Sequence, residues 1–568
     1  MKRRMRNPLL WLAFCASCSF GADLVLRNGK IVTLDSASPQ VTAIAVSGGK
    51  IVRVGSDAQM AKEIQRSSRV IDLGGRLAIP GFIEGHGHFT SLGQSKTELD
   101  LRGARTWDEI VAMVAAAAKE AKPGAWIQGR GWHQEKWDRK PVPDVRGFPI
   151  HASLTKVSPN NPVLLEHVSG HAAFVNAAAM TRAGIGPSTP APPGGEILKD
   201  ASGNPTGLLN EAAQSLANNA LQRDLARRSA AEQDAQAERE IDLAAQECLS
   251  KGITSFEDAG SPPETIERLR RRAERRALPI RLWVMLRTSN DGFRAWIAAH
   301  PSRMIEVADN RLTVRAIKEY MDGALGSRGA WLLEPYSDLP SSSGLNTQSI
   351  DDIEQTAQIA IANGYQLAIH AIGDRANREV LNLYERVFSA NPGKTDLRWR
   401  IEHAQHLNPA DIPRFARLGV IAAMQGIHAT SDGPMVIPRL GPKRAEEGAY
   451  VWRSLLESGA HLANGTDTPV EDVSPIECFY ASVTRRMKNG ETFYPAQKMT
   501  RMEALRSYTI ENAYAAFEEN LKGALRPGML GDITVLSRDI LTALDNQLLN
   551  TQVDYTIVGG KVAYQRLK

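Results

Sequence analysis

Eight short apolar segments separated by helical stretches are the feature that most restricts the fold of this 568-residue chain. An apolar run followed by a stretch of helical periodicity is typical of repeated β–α units around a parallel sheet. Eight is also the number of strands that closes a (β/α)8 barrel. The segments lie at residues 80–86, 252–258, 282–288, 314–320, 366–374, 399–404, 420–425 and 461–467.

The gap between the first and second segments is much too long for one connecting helix. We therefore expect an inserted lobe at about residues 93–245, which includes a long helical stretch at about 209–250. Both ends of the chain, at 22–78 and 525–568, carry β patterns around N-G and G-G turns. The sequence predicts an α/β fold: a TIM-like (β/α)8 barrel over 79–524 with a large insertion after its first strand, plus a small β-sandwich domain built from both termini.

The first 21 residues have the pattern of a secretory signal peptide. Four basic residues precede the apolar stretch Pro8–Phe20, which is too short to cross a bilayer comfortably, and Ser19 and Gly21 are small residues placed two apart. We expect cleavage after Gly21 and export to the periplasm or the outside of a bacterium. A short membrane anchor, or a lipid attached at Cys15 or Cys18, is the alternative.

Composition excludes several classes of protein. A hydrophobic fraction of 43% and a mean hydropathy of −0.28 exclude a mostly disordered chain and a polytopic membrane protein. Four of the basic residues behind the net charge of +5 lie in the expected signal, so no nucleic-acid partner is expected. Four cysteines are too few for a disulfide scaffold, and we expect Cys248 and Cys478 to be buried free thiols.

Residues that commonly ligate metals stand at the ends of several of these segments. In a barrel the carboxyl ends of the strands meet at one mouth, so residues far apart in sequence share one site. A His-x-His pair on a strand places both rings on the same face, and imidazoles with a carboxylate suit a divalent metal of the zinc type. The pattern therefore predicts a metal site formed by His86, His88, His370, His403 and Asp467.

Lys318, in the segment VRAIKEY, allows two interpretations. The first is a lysine that extends its ammonium group toward solvent near the strand end. The second is a carboxylated lysine, formed with carbon dioxide, whose carbamate bridges two metal ions. Burial favours the neutral amine that carboxylation requires. The strand by itself does not decide between them.

Taken together, the motifs resemble the amidohydrolase superfamily, specifically amidohydrolase family 3, a group that includes N-substituted formamide deformylase-like proteins. The resemblance covers nearly the whole mature chain, in the order PGFIEGHGH, VSGHAAFVNAAAM, KEYMDGALGSRGAWL, HAIGDRAN, RIEHAQHL and NGTDTPVEDVSPI. It implies two divalent metal ions, with zinc as the expected metal. The implied ligands are His86 and His88 on the first ion, His370 and His403 on the second, carboxylated Lys318 between them, and Asp467 on the first.

The resemblance also implies roles beyond metal binding. Asp467 would handle protons, and His171 in the inserted lobe would reach the substrate. His428 follows the seventh strand, a position suited to polarising the substrate. Most relatives have Asp where this chain has Glu84, so we expect altered support of the ligands there. Arg328 is a candidate for binding an anionic or carbonyl group.

The predicted function is that of an exported metal-dependent amidohydrolase acting on a non-peptide carbon–nitrogen bond of a small molecule, such as an amide, formamide or cyclic amide. One alternative is deamination of a cyclic amidine or heterocycle, against which Lys318 argues because such enzymes usually use one metal. A catalytically inactive binding protein is the other. A homodimer is the default expectation for assembly.

Overall fold

A parallel sheet of eight strands forms the centre of the protein in a computed structural model that describes residues 21–134, 137–167, 172–192, 195–326 and 328–567. All eight predicted segments are strands of this sheet, so the expected (β/α)8 barrel is confirmed as a nearly closed one. The predicted signal lies outside the described residues, apart from Gly21. The barrel strands are Phe82–Gly87, Ile253–Ser261, Arg281–Leu286, Leu312–Tyr320, Gln366–Ala371, Arg400–His403, Ile421–Gln425 and Leu462–Gly465.

Helices follow the barrel strands in sequence, as expected for β–α units. The fourth and fifth strands show the simplest arrangement, because one long amphipathic helix follows each of them. The helices after the eight strands in turn are Phe89–Ser95, Pro263–Glu274, Asn290–Ala299, Ile350–Asn363, Asp374–Ala390, Ile412–Leu418, then His428–Ser431, Gly433–Leu440, Pro442–Gly448 and Trp452–Glu457, and finally Pro475–Thr484, Arg501–Ser507 and Ile510–Ala515.

The barrel interior holds small and apolar side chains at successive inward positions of neighbouring strands. Trp283 and Met285 of the third strand pack there against Ala316 of the fourth and Ala368 of the fifth. Side chains alternate between the two faces of a strand. The next inward positions toward the carboxyl ends therefore open into the mouth.

The first and eighth strands meet through a side chain at the seam of the barrel. The Asn512 amide donates to the carbonyls of Ile83 (2.7 Å) and Asn464 (2.8 Å) and accepts from the Asn464 N–H (2.9 Å). Nearer the mouth, the backbone N–H of Asp467 donates to the His86 carbonyl at 2.8 Å. The seam therefore holds Asp467 beside the first-strand histidines.

A six-stranded sheet lies, in sequence, between the first and second barrel strands. Its strands, in spatial order, are Gly195–Lys199, Pro205–Glu211, Ala172–Val175, Val163–His167, Ile127–Trp132 and Leu99–Asp100. The same region contains the helices Trp107–Glu120, Ala152–Val157, Ala177–Ala183, Gln214–Ala226 and Ala230–Ser250.

The helical stretch expected at about 209–250 is two helices rather than one. Ser229 interrupts it because its side chain caps the backbone of Glu232, whose own side chain returns to the Ser229 N–H. The second helix packs closely on the helix after His88. A side chain at Gly93 would lie 1.8 Å from the Glu240 carbonyl oxygen, so only glycine fits there.

Strands from both ends of the chain pair in one sheet. Its order is Lys561–Gln565, Val553–Val558, Ile533–Leu536, Leu77–Pro80, Lys30–Val32 and Gln40–Val41. A second sheet contains Lys50–Gly55, Ala43–Ser47, Leu24–Arg27 and Arg69–Asp72. Side chains of both sheets, such as Leu24 and Ile533, share one apolar cluster. The division into domains stays a prediction.

Two further observations bear on the sequence analysis. Cys248 and Cys478 are buried free thiols, as expected. Within the described residues, no helix is both long and apolar enough to cross a bilayer.

Candidate metal centre

The barrel mouth brings the predicted strand-end residues together. The ring centroid of His403 lies 4.7 Å from that of His86 and 4.4 Å from that of His370. Asp467 Oδ1 is 3.3 Å from His88 Nε2 and 3.5 Å from His86 Nε2. Lys318 is buried in the fourth strand, where its Nζ donates to the Ala259 carbonyl at 3.3 Å.

Two of these residues reach the mouth through unusual backbone conformations. In the sixth strand Glu402 faces the barrel interior, so simple alternation would turn His403 outward. His403 instead has a φ of 75°, and Asp467 a φ of 57°. Non-glycine residues rarely adopt the left-handed region, and residues that do so cluster at functional sites.

Hydrogen bonds to one ring nitrogen leave the other free to bind a metal ion. His403 Nδ1 donates to Gln425 Oε1 at 2.8 Å, and His86 Nδ1 contacts the Glu402 carboxylate. Such partners orient metal-binding imidazoles in proteins. The Nε2 atoms of His86 and His370 are buried and have no hydrogen-bond partner among the described residues. Because His86 Nε2 faces a carboxylate oxygen of Asp467, a cation between them would be held by both.

The ligand atoms form two groups that share Asp467. One group is His86, His88 and Asp467, and the other is His403, His428 and Asp467, with the atoms of each group within 4.8 Å of one another. His370 adjoins the second group through its contact with His403. Nitrogen donors with one carboxylate suit zinc and similar divalent ions. The residues present therefore fit a metal centre.

The charge states of His370, His403 and Asp467 also suit metal binding. Burial, aided by the Lys318 charge, lowers the pKa of His370 to about 3, and burial beside His370 holds the pKa of His403 well below its usual range. Both rings are neutral at pH 7, the form that binds metals. Burial alone would raise the pKa of Asp467, but the contacts with His86 and His88 hold it well below its usual range.

A buried ion network supports His86 from inside the barrel. Arg400 contacts Glu257 and Glu402, with its Nε 2.6 Å from Glu402 Oε1, and it donates to the Gly85 carbonyl at 2.7 Å. All three charged side chains are fully buried. Although burial opposes it, Arg400 and His86 lower the pKa of Glu402 to about 2. Glu402 is therefore an anion that fixes the orientation of the His86 ring.

Comparison with known proteins adds an independent observation to this geometry. A protein-family model described as the amidohydrolase family matches residues 69–564. The chain belongs to the amidohydrolase family. This confirms the resemblance seen in its motifs and the prediction that it is an enzyme, a hydrolase.

Relatives of this amidohydrolase match nearly its whole length. Protein LONG AFTER FAR-RED 3 of Arabidopsis thaliana is 34% identical over 559 residues, covering 96% of this chain and 92% of that protein. N-substituted formamide deformylase of Arthrobacter pascens is 30% identical over 554 residues, covering 96% and 98%. Among solved structures, an uncharacterized metal-dependent hydrolase of Pyrococcus horikoshii matches with a TM-score of 0.74 and 25% identity, covering 92% of this chain and 99% of that one.

Glu84 joins the first strand of the amidohydrolase to the eighth. Its Oε1 accepts from the Thr466 hydroxyl at 3.0 Å and from the Thr466 backbone N–H. Burial raises the pKa of Glu84 to about 8 despite these hydrogen bonds. Glu84 lies outside both groups of ligand atoms, so its side chain stabilises the contact between the first and eighth strands rather than the metal centre.

The other predicted site residues of the amidohydrolase differ in their placement. His428 lies at the mouth, with its ring stacked 6.4 Å from His403. His171 falls outside the described residues. Arg328 is an ion-pair partner of Asp338 at 2.9 Å, so its guanidinium is already engaged.

Sequence reasoning missed the residues that orient the ligands. Glu402 and Gln425 contact ligand rings, and Gln405 Nε2 lies 3.0 Å from His428 Nδ1. A signal existed in RIEH, where Arg400 and Glu402 are two apart in one short strand and so share its inward face.

Proposed function

We propose that this chain hydrolyses a non-peptide amide-type carbon–nitrogen bond of a small molecule, such as an amide, a formamide or a cyclic amide. The observation that carries the proposal is the group of His86, His88 and Asp467, with His403 and His370 beside it, at the mouth of an amidohydrolase barrel. The formamide deformylase similar to this chain acts on that class of bond. Fold alone would not support the step to function, but these side chains do.

We propose that His86, His88 and Asp467 hold one divalent metal ion, and that His370, His403 and a carboxylated Lys318 complete a second site. Zinc is the proposed metal. Divalent ions supply a Lewis acid for a carbonyl oxygen and lower the pKa of water toward neutrality. We propose that the insertion after the first strand frames the substrate-binding mouth. The sheets built from both chain ends would form the base of the molecule.

Asp467 is the residue proposed to move the proton. Its contacts with His86 and His88 keep the carboxylate ionised, so it can accept a proton from the attacking water. The same proton would pass to the leaving nitrogen as the carbon–nitrogen bond breaks. Its left-handed backbone and its N–H bond to the His86 carbonyl fix the carboxylate in place.

His428 is proposed to polarise the substrate carbonyl. The Gln405 amide nitrogen donates to His428 Nδ1 at 3.0 Å, so the ring carries its proton on Nε2. That Nε2 is buried, and no residue in the described part of the chain hydrogen-bonds to it. An N–H in this position can donate to the oxygen on which negative charge develops. The same proton makes His428 a donor rather than a metal ligand.

A hydrolysis screen with zinc-loaded protein tests the proposed function. We expect turnover of at least one class among N-formyl, N-acyl and cyclic amides, with about two metals per chain by elemental analysis. Removal of the metal by a chelator should abolish turnover, and zinc should restore it. Release of ammonia from cyclic amidines with about one metal per chain would instead support the deaminase alternative. Metal-free protein without any turnover would support the binding-protein alternative.

Lys318→Ala tests the bridging role separately. We expect the metal content to fall and activity to drop about 100-fold or more, because losing even an outer partner of a metal ligand costs 10- to 100-fold. Added formate or acetate should restore part of the activity by replacing the carbamate. Lys443→Ala, at an exposed lysine, is the matched control. Unchanged metal content and activity in Lys318→Ala would refute the carbamate.

A further inference from the structure

Arg287 occupies the mouth position of the third barrel strand, where the neighbouring strands carry candidate ligands. The strand Arg281–Leu286 directs Trp283 and Met285 into the barrel interior. Arg287 is the next residue of the same parity and follows the carboxyl end of the strand. A Cβ atom added at Gly260 would lie 3.2 Å from the Lys318 Cγ and 3.4 Å from the Arg287 Cβ. Arg287 and Lys318 are therefore neighbours on either side of Gly260. The third strand therefore contributes a cation to this mouth.

An aromatic ring holds the Arg287 guanidinium beside the metal centre. The Arg287 Cζ lies 4.5 Å from the centroid of the Tyr320 ring. The same ring centroid is 5.3 Å from that of His370 and 4.4 Å from Lys318 Nζ. Stacking on an aromatic face limits the orientations of a guanidinium and leaves its N–H groups free. One ring thus separates Arg287 from the proposed second metal site.

No carboxylate neutralises Arg287 within the described part of the chain. Its side chain is exposed, and neither a hydrogen bond nor an ion pair links its guanidinium to another described residue. Burial raises the pKa of the Glu319 carboxyl, and the charge of Arg287 partly lowers it. Glu319 does not pair with Arg287, because it accepts a hydrogen bond from the Thr356 hydroxyl at 2.9 Å. By contrast, Arg328 and Arg439 both pair with Asp338.

We propose that Arg287 binds a carboxylate of the substrate, so that the substrate is an anionic amide rather than a neutral one. This inference rests on the proposed function and names its substrate class. The planar guanidinium matches a carboxylate through two parallel hydrogen bonds. Only the Tyr320 ring separates Arg287 from His370 and Lys318. The substrate carboxylate and the scissile amide would therefore belong to one small molecule, separated by a few covalent bonds.

Matched pairs of formamides test the proposal. The substrates are N-formylglycine and racemic N-formylphenylalanine, each compared with its primary carboxamide, on zinc-loaded protein. We expect the wild type to favour the carboxylates at least 10-fold in kcat/KM, which is the value of a charge-assisted pair of hydrogen bonds. Arg287→Met should remove most of that preference through KM, and Arg287→Lys should retain part of it. Arg294→Met, at an exposed arginine paired with Asp291, is the control and should keep the wild-type preference.

Two outcomes would overturn the inference while leaving the proposed function intact. In one, the wild type hydrolyses the carboxamides as well as the carboxylates, and Arg287→Met leaves the ratio unchanged. In the other, Arg287→Met loses metal, which would assign Arg287 to the support of Lys318.

If no formamide is hydrolysed, a binding measurement still tests Arg287. Calorimetry on Asp467→Asn should show that N-formylglycine binds at least 10-fold more tightly than its carboxamide, with the difference lost in Asp467→Asn/Arg287→Met. Equal affinities would overturn the inference. Selective binding without turnover of any N-formyl, N-acyl or cyclic amide would count against the proposed function alone.

Discussion

Replacing Asp467 by asparagine will lower kcat by about 10²- to 10⁴-fold while the protein keeps its metal, because that is the usual value of a positioned proton carrier. An amide has nearly the same shape as the carboxylate and retains an oxygen for the metal, but it cannot accept the proton of the attacking water. His86 and His88 remain to hold the ion. Steady-state kinetics and elemental analysis on the same preparation check both parts of the prediction.

Asp472→Asn is the matched control for this prediction. Asp472 lies five residues further along the same loop and pairs with Lys251 at 3.0 Å, away from the ligand groups. We expect its kcat to stay close to that of the wild type. Full activity in Asp467→Asn would refute the proton role, and loss of metal together with activity would show that Asp467 acts as a ligand only.

Arg400→Met should strongly destabilise the barrel. The substitution leaves Glu257 and Glu402 buried without their cation and the Gly85 carbonyl without its donor. Removing one partner of a buried ion pair costs about 3–5 kcal/mol. The melting temperature by differential scanning fluorimetry, measured with Arg386→Met as a surface control, checks the size of the loss. A decrease no larger than that of the control would contradict the prediction.

The loss should depend on pH in a defined direction. With Arg400 present, Glu402 has a pKa of about 2, below its value in an unfolded chain, so its ionisation stabilises the wild type at neutral pH. Burial already raises the pKa of Glu257 to about 7 with Arg400 present. Without Arg400 that pKa rises further and the pKa of Glu402 also rises above its unfolded value, so the folded variant is favoured when both carboxyls hold protons. Its stability should therefore fall as the pH rises from 5 to 8, so the gap to the wild type widens. Arg400→Lys, which keeps a charge but cannot span both carboxylates, should show a smaller loss if Arg400→Met does not fold.

The sequence predicted the strands and their polar ends because both depend on local pattern. A buried parallel strand is a short apolar run, and the histidines and Asp467 stand where those runs end. The same pattern hid Arg287, because a strand buried on both faces shows no alternation that would mark its inward side.

The features that sequence missed depend on residues far apart or on backbone conformation. Arg400 and Glu402 are two residues apart, but their partners Glu257 and His86 come from other strands, so the network exists only in the closed barrel. His403 turns into the mouth through a positive φ, and no residue type in RIEHA indicates that conformation. Local pattern thus indicated the candidate ligands but not what orients them.

The Asn512 seam has a consequence for the order of events during protein synthesis. The Asn512 side-chain amide donates a hydrogen bond to the Ile83 carbonyl, and 429 positions separate the two residues in the chain. During synthesis, one edge of the first barrel strand stays unpaired until almost the entire polypeptide has been made. His86 and Asp467 can meet only at that late stage, so a chain that stops short of residue 512 would expose an open sheet edge and lack a firmly held centre. The last part of the chain to be made thus completes a site whose first candidate ligand was made near the start.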